Sequence, residues 1–154
     1  MIKDLHHVAM LTADMDRLIA FYERVFEARV TLDMTEEGLR HAFIEIGPHT
    51  MLHPFQIPDV PLGPAEPIFG RGRLDHLALN AADEDAFWEV RRRIVAEGAG
   101  DGTVTDMGTV LNVVFTDPDG SQHEVVWAKT GVPVDAGRTR AEWTTVEPPD
   151  PLGA

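Results

Sequence analysis

Seven histidines and no cysteine set the terms for any chemistry in this chain of 154 residues. Thiolate sites and disulfides are excluded, so a metal would have to be held by imidazole or carboxylate. A histidine alone in a strand is usually an ordinary core or surface residue. The informative signal is repetition. Residues 5–10 read Leu-His-His-Val-Ala-Met and residues 74–79 read Leu-Asp-His-Leu-Ala-Leu. Aligning His7 with His76 gives an offset of 69 (76 − 7), which also carries Asp14 onto Asp83, Leu18 onto Phe87, Phe21 onto Val90 and Val25 onto Ile94. Residues 42–49 match residues 113–120 at an offset of 71 (113 − 42), which sets His53 opposite Glu124. Each half thus supplies one residue from its first strand and one from its last: His7 with His53, and His76 with Glu124. Three imidazoles and a carboxylate suit one divalent ion, such as Zn, Ni, Mn, Co or Fe(II). His6, His41, His49 and His123 are read as core or solvated residues, since alternation points His6 and His123 away from their neighbours in this set.

These residues need elements to position them. Leu18, Phe21, Tyr22 and Val25 have the spacing of a helix packed on a sheet, and Phe87, Val90, Arg91 and Ile94 keep most of it. All but Tyr22 and Arg91 are expected to be buried. Asp14 and Asp83 are the expected N-caps, and Gly98 and Gly100 end the second helix. Each half then reads strand, helix and about three strands. The expected fold is α+β: two tandem βαβββ modules forming a curved, mixed eight-stranded sheet with the helices outside. Module 1 spans about residues 5–57, the Pro- and Gly-rich linker 58–72, and module 2 about 73–128, so that residues 1–129 form a single domain. Residues 130–154 read as a Pro-rich acidic tail, with Val132, Val134 and Trp143 available to lie on a partner.

Strand parity extends the site. With Gly47-Pro48-His49-Thr50 as the hairpin turn, Ile44 faces His53, Met51 and Phe55 share that face, and Glu45 points away. The same reasoning about the turn at residues 117–120 puts Val113, Phe115 and Gln122 with Glu124, beside Val126. Ile44, Met51, Phe55, Val113, Phe115 and Gln122 are therefore the expected substrate pocket, an apolar floor around a few polar groups. Asp117-Pro-Asp-Gly120 lacks the spacing of a calcium loop and reads as a tight turn.

Composition narrows the partners. A formal net charge of −13 repels a phosphate backbone, which argues against nucleic acid. Hydrophobic content of 44% is that of a globular protein, and no run is long and apolar enough to cross a bilayer. No secretory signal is visible, so a cytoplasmic protein is expected.

The segments around Leu5-His-His-Val-Ala-Met10 and Leu74-Asp-His-Leu-Ala-Leu79, and above all Phe115-Thr-Asp-Pro-Asp-Gly-Ser-Gln-His-Glu-Val-Val126, resemble the vicinal oxygen chelate superfamily. That superfamily includes glyoxalase I, extradiol dioxygenases, methylmalonyl-CoA epimerase and fosfomycin-resistance enzymes. The resemblance covers about residues 3–129. It implies metal ligands at His7, His53, His76 and Glu124, with Glu124 doubling as a base; the position of His53 more typically holds Glu or Gln. It implies a glyoxalase-like isomerase, epimerase or lyase acting on a small substrate that chelates the ion through adjacent oxygens, in a homodimer. Two alternatives follow from the same family. In an Fe(II) extradiol-type dioxygenase, His7, His76 and Glu124 would be the ligands and His53 an acid/base. Other members bind drugs such as bleomycin without metal.

Overall fold

The computed structural model describes residues 5–70, 72, 74–133 and 138–149. The chain divides into two compact units, residues 1–65 and 66–154, and the division falls inside the expected linker.

In the first unit, β1 (His7–Leu11) leads into α1 (Met15–Phe26), followed by β2 (Arg29–Glu36), β3 (Leu39–Gly47) and β4 (Thr50–Gln56). Asp14 caps α1, its carboxylate accepting from the Arg17 N–H at 3.0 Å. The Gln56 side-chain oxygen accepts from the Met15 N–H at 2.9 Å, which ties the start of the helix to the end of β4. The stripe Met15, Leu18, Phe21, Tyr22 and Val25 is buried, as the helical spacing requires. It packs on a sheet of order β1-β4-β3-β2, in which β1 and β4 are parallel and the other pairs antiparallel.

The second unit repeats this plan. It contains β5 (Ala78–Asn80), α2 (Glu84–Ala96), β6 (Val104–Asp106), β7 (Val110–Thr116) and β8 (Gln122–Ala128). Asp83 caps α2, accepting from the Ala86 N–H at 2.8 Å. Gly98 takes a left-handed φ of 68° just past the helix. Gly100 has a different task from the expected one: a Cβ there would lie 2.7 Å from the Val114 carbonyl, so its smallness lets the loop approach β7. Phe87 and Ile94 are buried, but Val90 is only half-buried. Arg91 takes the buried place instead, with its Nε donating to the Gly102 carbonyl at 2.7 Å.

The repeat holds residue by residue. Ala9 pairs with His53 in the first unit, and Ala78 pairs with Glu124 in the second, the offsets of 69 and 71 read from the sequence. Ile44 opposite Leu52 becomes Phe115 opposite His123, and Met34 opposite His41 becomes Thr105 opposite Asn112. Both modules therefore have the expected βαβββ order. Among the described residues the strands fall in two sheets rather than one of eight, and there is a ninth: β9 (Thr144–Val146), from the expected tail, pairs antiparallel with β6 and completes the order β5-β8-β7-β6-β9. A single 3₁₀ turn (Arg140–Glu142) precedes it, with the Arg140 guanidinium 5.6 Å from the Trp143 ring centre. Val132 is exposed, and Val134 lies outside the described residues. No helix among the described residues is long and apolar enough to cross a membrane.

Candidate metal centre

Two residues of the turn decide which side chains can share a face. Residues Gly47 and Thr50 do close the first hairpin, but the register shifts between Glu45 and Gly47, so Glu45 lies opposite Met51 and Ile44 opposite Leu52. This corrects the expected parity, because a one-residue slip moves every side chain to the other face. Ile44 is fully buried on the helix side, with Ala42 and Leu52. His53, Met51 and Phe55 lie on the opposite face, and Glu45 and His41 are there with them. Glu45 is held in an ion pair with the exposed Arg29. The second module shows the same correction. Thr116 lies opposite Gln122, and the loop between them spans residues 117–121. Val113 and Phe115 are fully buried on the helix side, while Gln122, Val126 and Val114 share the face of Glu124. The Asp117 carboxylate closes this loop by accepting from the N–H groups of Asp119 at 3.0 Å and Ser121 at 2.7 Å, the tight turn expected there.

The first module brings His7 and His53 together. Their ring centres are 5.2 Å apart and their planes nearly perpendicular. His53 lies between Phe43 and Phe55, at 4.1 and 4.2 Å centre to centre. Its Nε2 is 3.1 Å from Nδ1 of His41. Burial, and then the neighbouring His7 and His41, push His53 below the ordinary imidazole value. Each of these effects disfavours the charged ring, so the ring keeps a lone pair available as a ligand. His6 is exposed, with Nδ1 2.8 Å from that of His7, and His49 is exposed at the hairpin tip.

The second module brings His76 and Glu124 together, with Nε2 3.5 Å from Oε2. Asp75 fixes the ring from behind, its Oδ2 2.8 Å from His76 Nδ1. The same carboxylate accepts from the Phe69 N–H, at 2.8 and 3.0 Å. A carboxylate on Nδ1 places the ring proton there and leaves the Nε2 lone pair facing Glu124. Two lone-pair donors then face each other at 3.5 Å. That separation matches two ligands on one ion at bond lengths of about 2.0–2.2 Å. The Gln122 side-chain oxygen accepts from the Ile68 N–H at 3.0 Å, so this expected pocket residue also anchors the segment before β5. Among the described residues, no three His, Asp or Glu side chains are gathered into a ready metal cage. Asp75, His41 and Phe43 are the residues that the sequence reading missed. Asp75 was visible as the acid directly before His76 in the second copy of the repeat. His41 and Phe43 were hidden by the slipped parity.

A profile of the Glyoxalase/Bleomycin resistance protein/Dioxygenase superfamily matches residues 4–125. The chain belongs to this superfamily. The fold agrees with solved structures of the glyoxalase superfamily. A glyoxylase/bleomycin resistance protein/dioxygenase domain from Frankia sp. EAN1pec superposes with a TM-score of 0.71 at 14% identity, over 84% of this chain and 100% of that one. The genomically encoded fosfomycin resistance protein FosX from Listeria monocytogenes superposes with a TM-score of 0.61 at 17% identity, over 84% of this chain and 97% of FosX. A mutant of glyoxalase I from Zea mays gives 0.60 at 19% identity, over 79% of this chain and 44% of that longer one. At these identities the likeness establishes the fold. No curated protein sequence matches the chain significantly.

Proposed function

We propose that this protein is a divalent-metal-dependent enzyme of the glyoxalase type, an isomerase, epimerase or lyase, whose small substrate binds through two adjacent oxygens. His7, His53, His76 and Glu124 are its proposed metal donors. The observation that carries the reading is the Asp75–His76–Glu124 arrangement, an imidazole oriented by one carboxylate toward another. A mutant of FosX, which shares the fold, has been crystallised with Mn(II) and 1S,2S-dihydroxypropylphosphonic acid, a ligand with adjacent oxygens.

When bound, the ion would polarise a substrate oxygen as a Lewis acid. The protein's own residues do the rest. Asp75 holds His76 in one tautomer. Glu124 offers a carboxylate oxygen that can take a proton beside the polarised carbonyl and return it. His53 stays neutral, and Phe43 and Phe55 flank it with apolar surface that limits water.

Glu124→Gln tests this reading, because it keeps the shape and removes the charge and basicity. We expect retained metal, measured by elemental analysis, with kcat lowered about 10²- to 10⁴-fold. Undiminished turnover would rule out Glu124 as the base. Metal content unchanged in the His7→Ala, His76→Ala double variant would remove the site.

The dioxygenase alternative draws support from one contact: His53 Nε2 is engaged with His41 rather than free. In that reading His7, His76 and Glu124 hold Fe(II), and His53 moves protons. Oxygen consumption with a catechol would favour it. A homodimer belongs to the same proposal, since Leu5, Leu11, Phe69 and Leu74 are exposed apolar residues near the donors in sequence. Sedimentation at micromolar concentration should show two copies; a monomer throughout would remove this part.

A further inference from the structure

His41 and His53 stand on adjacent strands and on the same face, with His41 directly opposite Phe55. Their facing nitrogens, Nδ1 of His41 and Nε2 of His53, are 3.1 Å apart. The outer nitrogen of His41, Nε2, looks toward the Glu36 carboxylate at 3.7 Å. At that distance there is no hydrogen bond, but the charge of the carboxylate favours the ring proton on Nε2 and the Nδ1 lone pair toward His53. His76 shows a tighter form of this arrangement, with Asp75 at 2.8 Å from one nitrogen and the other aimed at Glu124. When His53 carries its proton on Nδ1, two lone pairs converge across 3.1 Å. That is the spacing of two nitrogens on one ion at bonds of about 2.0–2.1 Å.

We propose that His41 is a metal-donor residue, forming with His53 a two-imidazole chelate on the first module. The inference rests on the metal reading above and adds a ligand to it. The added imidazole tilts the donor set toward borderline ions such as Co²⁺, Ni²⁺ or Zn²⁺ and away from Mg²⁺, which prefers oxygen. The fold does not require a histidine at this place. The repeat-equivalent residue on β7 is Asn112, which takes the same register position opposite Thr105 that His41 takes opposite Met34.

That equivalence supplies the test variant, His41→Asn. Co²⁺ is titrated into the full-length chain and followed by its visible absorption, with His76→Ala as the control. We expect His41→Asn to weaken Co²⁺ binding at least about tenfold and to alter the visible bands. A second measurement needs no variant: on saturating the wild-type chain with Zn²⁺, the imidazole ¹⁵N resonance of His41 Nδ1 should shift, and this arm decides the matter if His41→Asn fails to fold. The inference alone is overturned if His76→Ala loses Co²⁺ while His41→Asn binds it as wild type does, or if the His41 resonance stays in place as Zn²⁺ saturates. A wild-type chain that binds neither ion would overturn the metal reading and the inference together.

Discussion

The two modules agree about their backbone and differ about one face of it. On the helix side, Ala42, Ile44 and Leu52 of the first module become Val113, Phe115 and His123 of the second, all buried. Only His123 breaks the apolar pattern, and its Nδ1 accepts from the Leu77 N–H at 3.3 Å. On the other face nearly everything changes. His41, Phe43, Met51, His53 and Phe55 are answered by Asn112, Val114, Gln122, Glu124 and Val126, while His7 is answered by another histidine, His76. The first module presents imidazoles among aromatic rings. The second presents one imidazole and a carboxylate among aliphatic and amide groups. Register and capping are shared because hydrogen bonding and burial demand them of any such unit. The remaining face is free of that demand, so its differences point to chemistry.

Core substitutions should break the modules alike if this division is right. Phe115→Ala should cost about 3–5 kcal/mol, and its counterpart Ile44→Ala about 2–5 kcal/mol, from lost burial and the cavity left behind. Val114→Ala, one residue along β7 and 37% exposed, should cost about 1 kcal/mol or less. Denaturant unfolding of the three variants measures this. A cheap Phe115→Ala accompanied by a raised KM would restore Phe115 to the substrate pocket and undo the parity correction.

That correction marks where sequence reasoning stopped. The repeat was legible because it depends on residue type at fixed offsets: Ala9 with His53 and Ala78 with Glu124 pair as the alignment of His7 with His76 and of His53 with Glu124 implies. The caps were legible because an acid before an apolar helical stripe has few other uses there. Facing was harder. It depended on how many residues each turn consumes, and the irregularity after Glu45 and the five-residue loop after Thr116 each displaced the pairing by one step. The choice of His7, His53, His76 and Glu124 does not depend on this count, because it came from the repeat. Ile44, Val113 and Phe115 do not, because they were placed by counting through a turn. The strand β9 was illegible for another reason: Thr144–Val146 is only three residues long and is defined by the β6 edge it pairs with.

The caps offer a finer comparison, with a smaller expected effect. Asp14 and Asp83 make the same bond, each to an N–H three residues on, at 3.0 and 2.8 Å. Removing such a side chain costs about 0.5–2 kcal/mol. The surroundings separate the two. In α1 the Met15 N–H is also met by Gln56, a tie to β4 that does not depend on Asp14. The first turn of α2 carries Glu84 and Asp85, acids that favour the positive end of the helix but do not cap the Ala86 N–H as Asp83 does. Asp14→Ala should therefore fall near the lower end of the range, about 0.5–1 kcal/mol, and Asp83→Ala nearer the upper end, about 1–2 kcal/mol. Gln56→Ala combined with Asp14→Ala should close the gap, since both remove ties at the same helix start and should couple. Thermal unfolding of the single and double variants reads the order directly. Equal losses for Asp14→Ala and Asp83→Ala would mean that the Gln56 tie adds nothing to helix anchoring, and that the two helix starts are as alike in energy as they are in sequence.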